Sequence, residues 1–252
     1  MTTSFSEACK NIEEEYQKEE YQKDGHKNGW RFLMCPADRL NAKTQIALLT
    51  LNPGGGSSDK QRKCEPSCEN GSAYVCESWC GKHPGEAPLQ KQIRKLFEAI
   101  AAEIDKAGDG DNLLQQTLAA CYIPFRSKSL NDLPNREAVK VFANKLWRDL
   151  FDEIDPLLIV TIDRITTKAI SQILENKLNC PAPDVKTFKI GWGAVSADVI
   201  TFNNAEQAKR VILRLPHLSR FKLFGRQKGP EKQVKDVIAW AVRESSLPKR
   251  AK

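Results

Sequence analysis

Several common sequence features are missing from this 252-residue chain. No apolar stretch approaches the ~20 residues that a membrane-spanning helix needs, and the N-terminus lacks the basic start and apolar middle of a signal peptide. There is no G-x-x-x-x-G-K-S/T phosphate loop and no dinucleotide fingerprint. These absences argue against a membrane protein and weaken the case for a nucleotide hydrolase. We expect a monomeric cytoplasmic protein with one domain over residues 1–252.

Positive charge is concentrated in the last fifth of the chain. The formal net charge is +7, and residues 206–252 hold thirteen Lys or Arg against four acids. A basic face gathered in one segment is typical of a polyanion-binding protein. A solvated helix face followed by a disordered basic tail, here residues 245–252, would give the same count. The charge alone is therefore compatible with a nucleic-acid partner, and other features of the sequence must decide.

The stretch from Gln45 to Gly56 (QIALLTLNPGGG) joins an apolar run to an Asn-Pro-Gly turn. The run predicts a strand buried on both faces, and Pro53 ends its ladder because proline has no N–H. Gly54 to Gly56 remove every Cβ from the turn, so backbone N–H groups can lie close to a ligand. Asn52 is therefore expected at the carboxyl end of a buried strand, where open α/β sheets bind ligands. An ordinary strand-to-loop turn would look the same unless other strand ends supply partners.

Three more apolar runs alternate with amphipathic segments. The strands are predicted at residues 118–123, 157–162 and 211–215, and the helices at 88–105, 135–154, 164–178 and 231–244. A hairpin or edge strands are predicted at 187–190 and 195–202. The alternation implies a three-layer α/β/α fold around a central, mainly parallel four-stranded sheet. Because parallel strands place their carboxyl ends on one edge, the loops LNPGGG, PFRSKS and PHLSR should converge into one cleft.

Half of the eight cysteines lie in a polar insertion at residues 57–87. They are spaced C-x3-C-x7-C-x3-C, and a loop with so little apolar core is ordered most simply by four thiolates on a structural Zn²⁺. The spacing fits loosely, so an iron–sulfur cluster, unligated thiols and an unusual disulfide stay open as alternatives. The four candidate ligands are Cys64, Cys68, Cys76 and Cys80. The other four, predicted to be small core residues, are Cys9, Cys35, Cys121 and Cys180.

Taken together, the three loops resemble the uracil-DNA glycosylase superfamily. Asn52-Pro53-Gly54 matches the first motif of that family in its form with Asn in place of Asp, and residues 216–220 (PHLSR) are similar to the second, a His-Pro-Ser-like loop. Residues 124–127 (PFRS) stand where the base-reading strand of the family ends. The resemblance, which covers residues 30–240, implies a monofunctional DNA glycosylase that needs no cofactor for its chemistry. Such an enzyme flips a base out of DNA, hydrolyses its N-glycosidic bond and leaves an abasic site.

The resemblance also implies catalytic roles for two residues. Asn52 would hold the attacking water through its amide oxygen, although an amide cannot take a proton as a carboxylate does. His217 would donate a hydrogen bond to the carbonyl oxygen of the leaving base, for which a neutral imidazole suffices. Without the other motifs, His217 would be interpreted as a histidine that caps a strand end.

A larger set of residues is predicted to bind the DNA. Leu218 would be an apolar wedge in the gap left by the flipped base, or would simply pack against the cleft wall. Glycine N–H groups and Ser219 would bind flanking phosphates, with counter-charge from nearby cations. The cations are Arg220, Lys222, Arg226 and Lys228, and the alternatives for a stacking aromatic are Phe125, Tyr74 and Trp79. The substrate-binding candidates are Pro53, Gly54, Gly55, Cys121, Phe125, Arg126, Ser127, Leu218, Ser219 and Arg220.

The base-reading strand departs from the pattern of uracil-specific members. Cys121, or its neighbour Tyr122, stands where those enzymes have the asparagine that reads the pyrimidine edge. Loss of that amide removes the discrimination against cytosine, so we expect a modified or damaged pyrimidine as substrate, with uracil as an alternative. The superfamily includes an antiphage glycosylase that removes glucosylated hydroxymethylcytosine from viral DNA, and the insertion at 57–87 could shape a pocket for such a base. A catalytically silent nucleic-acid-binding module on the same fold is the alternative from another functional class.

Overall fold

A computed structural model of the protein describes residues 5–18, 28–55, 63–105, 108–180, 182–203, 208–226 and 229–248. The strands are β1 (Gly29–Arg31), β2 (Ile46–Thr50), β3 (Lys63–Glu65), β4 (Leu118–Cys121), β5 (Leu158–Thr161), β6 (Asp184–Trp192), β7 (Val195–Phe202) and β8 (Arg210–Arg214). The helices are α1 (Phe5–Tyr16), α2 (Ala73–Cys76), α3 (Pro88–Ile104), α4 (Gly110–Gln115), α5 (Arg136–Phe151), α6 (Arg164–Lys177) and α7 (Glu231–Glu244). Gly56, Lys228 and the tail beyond residue 248 lie outside the described residues.

The main sheet has the strand order β4-β2-β5-β8-β7-β6, and its first four strands are parallel. Every residue of these four strands is buried, as their largely apolar sequences predict for a sheet covered on both faces, and the two arginines at the ends of β8 are buried with ion-pair partners. The covering helices pack in two pairs, α3 with α7 and α5 with α6. The predicted α/β class and the mainly parallel sheet are therefore confirmed.

The predicted number of strands, four, is wrong, because the hairpin β6–β7 joins the same sheet. β7 pairs antiparallel with β8, and Asp198 lies opposite Arg214. A side-chain ion pair of 2.5 Å between these two residues fixes the register, since it buries the guanidinium of Arg214 against its partner. The hairpin pairs with the backbone N–H and C=O groups along the edge of β8, which a four-stranded sheet would leave unpaired.

The Cys-rich insertion packs beside the other edge of the sheet. Its strand β3 forms a separate two-stranded parallel sheet with β1. The chain that follows β1 runs along β4, where the Met34 N–H donates to Ala119 O at 2.8 Å and the Cys121 N–H donates to Phe32 O at 3.0 Å. The insertion is thereby held close to the carboxyl ends of β4 and β2. None of the described helices has both the length and the apolar character needed to cross a bilayer.

Candidate functional site

Four loops follow the carboxyl ends of the parallel strands and lie on one edge of the sheet. The order along this edge is set by the strands: residues 122–129 after β4, 52–55 after β2, 162–163 after β5 and 215–220 after β8. Neighbouring strands are about 4.8 Å apart, so Asn52 and His217, with β5 between their strands, belong to strand ends about 10 Å apart. The parallel pairing places the loops on one edge of the sheet, and their convergence into one cleft stays a prediction.

The side-chain amide of Asn52 has a defined orientation. Its Nδ2 donates to Ser127 Oγ at 2.9 Å, to Ser127 O at 3.2 Å and to Pro53 O at 3.1 Å. Carbonyl oxygens can only accept hydrogen bonds, so the NH2 group must be the end that faces them. No described residue donates to Oδ1 of Asn52, and the side chain is half-buried. The amide oxygen is therefore available to accept a hydrogen bond from a water molecule.

Ser127 orients Asn52, although we predicted that it would contact substrate. It is 3% exposed, its hydroxyl donates to Ser129 O at 2.7 Å, and its N–H donates to Pro53 O at 3.2 Å. These bonds join the loop after β4 to the loop after β2. Ser127 consequently fixes the amide of Asn52 and is shielded from a ligand in the cleft.

Ser219 was predicted to bind a phosphate, but in the structure its hydroxyl contacts His217. Its Oγ lies 2.8 Å from Nδ1 of His217. When the hydroxyl donates to Nδ1, the proton of the neutral ring must sit on Nε2, which then becomes a donor. The His217 side chain is exposed, and the desolvation that it still experiences lowers its pKa, as Arg220 does, while the Asp163 carboxylate opposes them. A lowered pKa favours the neutral imidazole, and in the tautomer with the proton on Nε2 the ring has a donor for a ligand.

Asp163, which the sequence analysis missed, follows β5 on the strand between those of Asn52 and His217. Its Oδ1 accepts a hydrogen bond from the Thr166 N–H at 2.7 Å and caps α6. Its Oδ2 is buried and has no hydrogen-bond partner among the described residues. Burial raises the pKa of Asp163, although the N–H of Thr166 and the charge of His217 act against that shift. The signal was present in the sequence, since Asp163 directly follows the apolar run LLIVTI just as Asn52 follows its own strand.

The guanidinium of Arg126 is held inside the protein. It pairs with Glu65 and donates to Gly54 O at 3.1 Å, and its side chain is 15% exposed. Glu65 also lies 3.6 Å from Arg31, which pairs with Glu77 at 2.6 Å. This series of ion pairs connects the Cys-rich insertion to the loop of Asn52. Arg126 therefore positions that loop, and the predicted contact with substrate is not available to it in this arrangement.

The glycines of the first loop leave room for a ligand. A Cβ added at Gly54 would meet nothing within 4 Å, whereas one at Gly55 would lie 3.2 Å from the Cβ of Arg126. Within the described ranges, no group accepts a hydrogen bond from the N–H of either glycine. Pro53 beside them is buried. Gly54 is thus the residue of this loop at which a ligand can approach the backbone most closely.

Most of the predicted apolar and base-reading contacts are buried in the core. Leu218 is 1% exposed and Phe125 is fully buried between Tyr16 and Phe142, so neither the wedge nor this stacking residue is accessible. Of the remaining base-reading and stacking candidates, Trp79 is half-buried and the other three, Cys121, Tyr122 and Tyr74, are each 1% exposed. These side chains are large or apolar, and their burial in the core removes apolar surface from water.

Tyr122 instead recruits a polar residue that sequence patterns did not single out. Its hydroxyl donates to Asn144 Oδ1 at 2.9 Å. Asn144 lies on α5 and is half-buried, and its Nδ2 has no acceptor in the described part of the chain. The structure thereby brings an amide from helix α5 to the end of β4, where the resemblance implied that a strand residue would supply it.

Two of the four predicted metal ligands lie together. The Sγ atoms of Cys68 and Cys76 are 3.7 Å apart, while Cys64 and Cys80 are exposed elsewhere in the insertion. Over the residues that the structure describes, no three His, Cys, Asp or Glu side chains are placed to hold a metal ion. The structure thus places two of the four proposed cysteine ligands next to each other. Structural zinc stays a prediction, and elemental analysis that found neither zinc nor iron in the purified protein would rule it out.

Comparison with known proteins gives no family assignment. No protein-family model matches the sequence, and no curated protein matches it significantly. The function must therefore be argued from the residues at the carboxyl edge of the sheet.

Proposed function

We propose that this protein is a monofunctional DNA glycosylase that acts as a monomer on a modified or damaged pyrimidine. The observation that carries the proposal is the presence of two suitably oriented groups on one sheet edge. Asn52 offers a free amide oxygen after β2, and His217 offers a ring N–H after β8. The two strands are separated by β5 alone, which leaves a span of about 10 Å. An extruded base and its sugar fit a span of this size.

Cleavage would proceed with Asn52 and His217 on opposite sides of the scissile bond. Oδ1 of Asn52 accepts a hydrogen bond from water and holds it against the sugar, but it takes no proton. The bond between C1′ and the base breaks, the bond between C1′ and the water oxygen forms, and the proton that the water loses passes to solvent, from which the departing base anion takes one up. Nε2–H of His217 donates to the carbonyl oxygen of the base, where negative charge develops as the bond breaks. A hydrogen bond donated by Ser219 Oγ to Nδ1 of His217 would hold the ring in the tautomer that has this donor. A neutral imidazole is sufficient for this hydrogen bond, so the mechanism does not require a raised pKa for His217.

The substrate class follows from what the base-reading strand lacks. Cys121 and Tyr122 are buried and offer the base no amide, so the asparagine that would reject cytosine is missing from this strand. We therefore propose a modified cytosine as the preferred base, with uracil as the alternative, on a uracil-DNA-glycosylase-like arrangement of the four parallel strands. Removal of such a base from phage DNA would be a defence function.

A panel of oligonucleotides tests this function directly. Duplexes and single strands that carry uracil, hydroxymethylcytosine or glucosylated hydroxymethylcytosine are incubated with the protein, and released base and alkali-labile abasic sites are measured. We expect cleavage of at least one modified pyrimidine and none of unmodified DNA. If no substrate is cut while DNA is still bound, the protein is a binding module without glycosylase activity.

The binding module is favoured by one specific observation. Leu218 and Phe125, the residues predicted to fill the gap and to stack on the flipped base, are both buried. A protein that binds DNA without extruding a base needs neither of them. The two candidate functions therefore differ in whether a base leaves the helix, which the panel measures.

The pH dependence of cleavage follows from the state of His217. Burial and Arg220 place its pKa below the usual value near 6.5, so the ring is neutral from pH 7 upward. If the neutral ring is the active form, the rate of base release should not fall between pH 7 and 9. A reaction that needed the imidazolium would lose about tenfold in rate per pH unit over this range. A single-turnover pH profile separates the two outcomes.

Gly54 gives a prediction about close approach of the DNA backbone. Gly54→Val should leave thermal stability almost unchanged, because the added side chain meets open space and φ lies outside the left-handed region. If a phosphate binds the N–H groups of this loop, the same change should weaken DNA binding by about tenfold, on the scale of one charge-assisted hydrogen bond. Unchanged DNA affinity, measured by fluorescence anisotropy, would exclude a phosphate at this position.

A further inference from the structure

The tip of the hairpin β6–β7 lies beside the loop that carries His217. β7 and β8 are antiparallel, and Asp198 lies opposite Arg214. If the same register is extended three residues beyond this pair, Val195 falls opposite His217. Val195 pairs with Trp192 across the hairpin. Gly191, with a φ of +74°, and Gly193, with a φ of +55°, adopt the left-handed backbone on either side of Trp192 that lets the chain turn there. Trp192 is consequently at the same edge of the sheet as the candidate site.

Trp192 belongs to a cluster of two aromatic rings and a cation. Its ring centroid is 5.9 Å from that of Phe221, with the planes at 85°, and the Arg226 guanidinium lies 4.7 Å from the Trp192 ring. Both rings are half-buried and Arg226 is exposed. The Phe221 N–H donates to His217 O at 2.9 Å, so this ring is attached to the catalytic loop itself. We call Trp192, Phe221 and Arg226 the hairpin cluster.

A buried glutamine holds the chain of the hairpin cluster in place. Gln92 on α3 is 6% exposed, and its Oε1 accepts hydrogen bonds from the N–H groups of Leu223 at 2.8 Å and Phe224 at 3.1 Å. Its Nε2 donates to Phe224 O at 3.0 Å. The segment between His217 and Arg226 is therefore fixed against a helix. A ligand would meet preformed rings, with little ordering of the loop on binding.

The charge around the cluster is positive and unpaired. Arg220, Lys222 and Arg226 are exposed, and none of them has a carboxylate within ion-pair distance among the described residues. Aromatic faces among unpaired cations are the combination by which proteins hold single-stranded nucleic acid, because every base can stack and every phosphate attracts a cation. A hairpin tip that only packed on its own domain would have no need of three unpaired cations.

We propose that the hairpin cluster binds an unpaired nucleotide next to the extruded one, and that the protein therefore binds single-stranded DNA more tightly than duplex. A base stacks on the face of Trp192 as Arg226 turns from that ring toward a phosphate, and Phe221, whose plane lies at 85° to Trp192, bounds the stack. The inference rests on the proposed function in taking DNA as the ligand. It does not require that the DNA be cut.

Binding of fluorescein-labelled oligothymidylate, measured by anisotropy, tests the proposal without any substrate base. Trp192→Ala should weaken binding by at least about fivefold, the scale of one base–aromatic stack. Arg226→Gln should weaken it and reduce its salt dependence. The matched control is Trp240→Ala, because Trp240 is also a half-buried ring with a cation over it, Lys186 at 3.5 Å, but lies on α7 against Phe188. This control should bind as the wild type does.

Unchanged oligothymidylate affinity in folded Trp192→Ala, or equal losses in Trp192→Ala and Trp240→Ala, would overturn the proposal. If Trp192→Ala fails to fold, Trp192→Leu, which keeps an apolar side chain beside Phe221 and removes the aromatic face, takes its place, and unchanged affinity in that variant would overturn the proposal. The result is separable from the test of glycosylase activity. Loss of binding in the variants of the hairpin cluster with no base released from any substrate would support the cluster and reject the enzyme, whereas base release with unaffected binding would do the reverse.

Discussion

Asn52→Ala should lower the rate of base release by about ten- to a thousandfold, the scale of losing one group that positions a reactant. The physical reason is the orientation of the amide: its NH2 group is held by Ser127 and Pro53, so Oδ1 is the end that remains for water. Alanine removes this acceptor and leaves a water that is no longer fixed against the sugar. Single-turnover release of base from the best substrate of the panel measures the effect, and DNA affinity should be largely retained.

The matched control is Asn112→Ala. Asn112 is an exposed asparagine on α4, where its Oδ1 accepts a hydrogen bond from Gln116 Nε2 at 3.1 Å. It should release base at the wild-type rate. A wild-type rate in Asn52→Ala as well would show that this amide does not take part in the reaction.

His217→Ala should have an effect of similar size, about ten- to a thousandfold on the rate. The ring is the group that can donate to the leaving base, and donation from Ser219 Oγ, 2.8 Å from Nδ1, would keep the proton on Nε2. Without it, the negative charge that develops on the base is stabilised by water alone. The loss should appear in the rate of the chemical step and leave the affinity for DNA nearly unchanged.

His83→Ala is the corresponding control, since His83 is an exposed histidine in the Cys-rich insertion. If both histidine variants retain full activity, the assignment of His217 is wrong. If both lose it equally, the insertion and not the imidazole of His217 is the functional element. Ser219→Ala should fall between wild type and His217→Ala, because it removes the tautomer preference but not the ring.

The central sheet could be predicted from sequence because its strands carry a strong local signal. Residues 157–162 and 211–215 were predicted as strands, and β5 (Leu158–Thr161) and β8 (Arg210–Arg214) lie within a residue of those bounds. Residues 187–190 and 195–202 were predicted as a hairpin or edge strands, and the structure shows both at once, because β7 of the hairpin pairs with β8. The ion pair between Asp198 and Arg214, which are sixteen residues apart, has no local sequence signal.

Site residues that directly follow a strand could be predicted from the sequence. Residues whose role is set by a partner far away in the chain could not. Asn52 follows its strand directly, and a polar residue in that place is visible in the sequence. The role of Arg126 is set by Glu65, which no local pattern connects to it. For Leu218 the sequence left open a wedge or packing against the cleft wall, and its exposure of 1% favours packing. Asp163 carried the same signal as Asn52 and should have been found.

The most direct test compares the wild type with the double variant Asn52→Ala/His217→Ala. Free base released from the three modified oligonucleotides is quantified by mass spectrometry under single-turnover conditions. We predict that the wild type releases one modified pyrimidine and that the double variant releases almost none while it still binds the DNA. Equal release by both proteins, or no base from any substrate with the wild type, would contradict a glycosylase site built from these two strand ends.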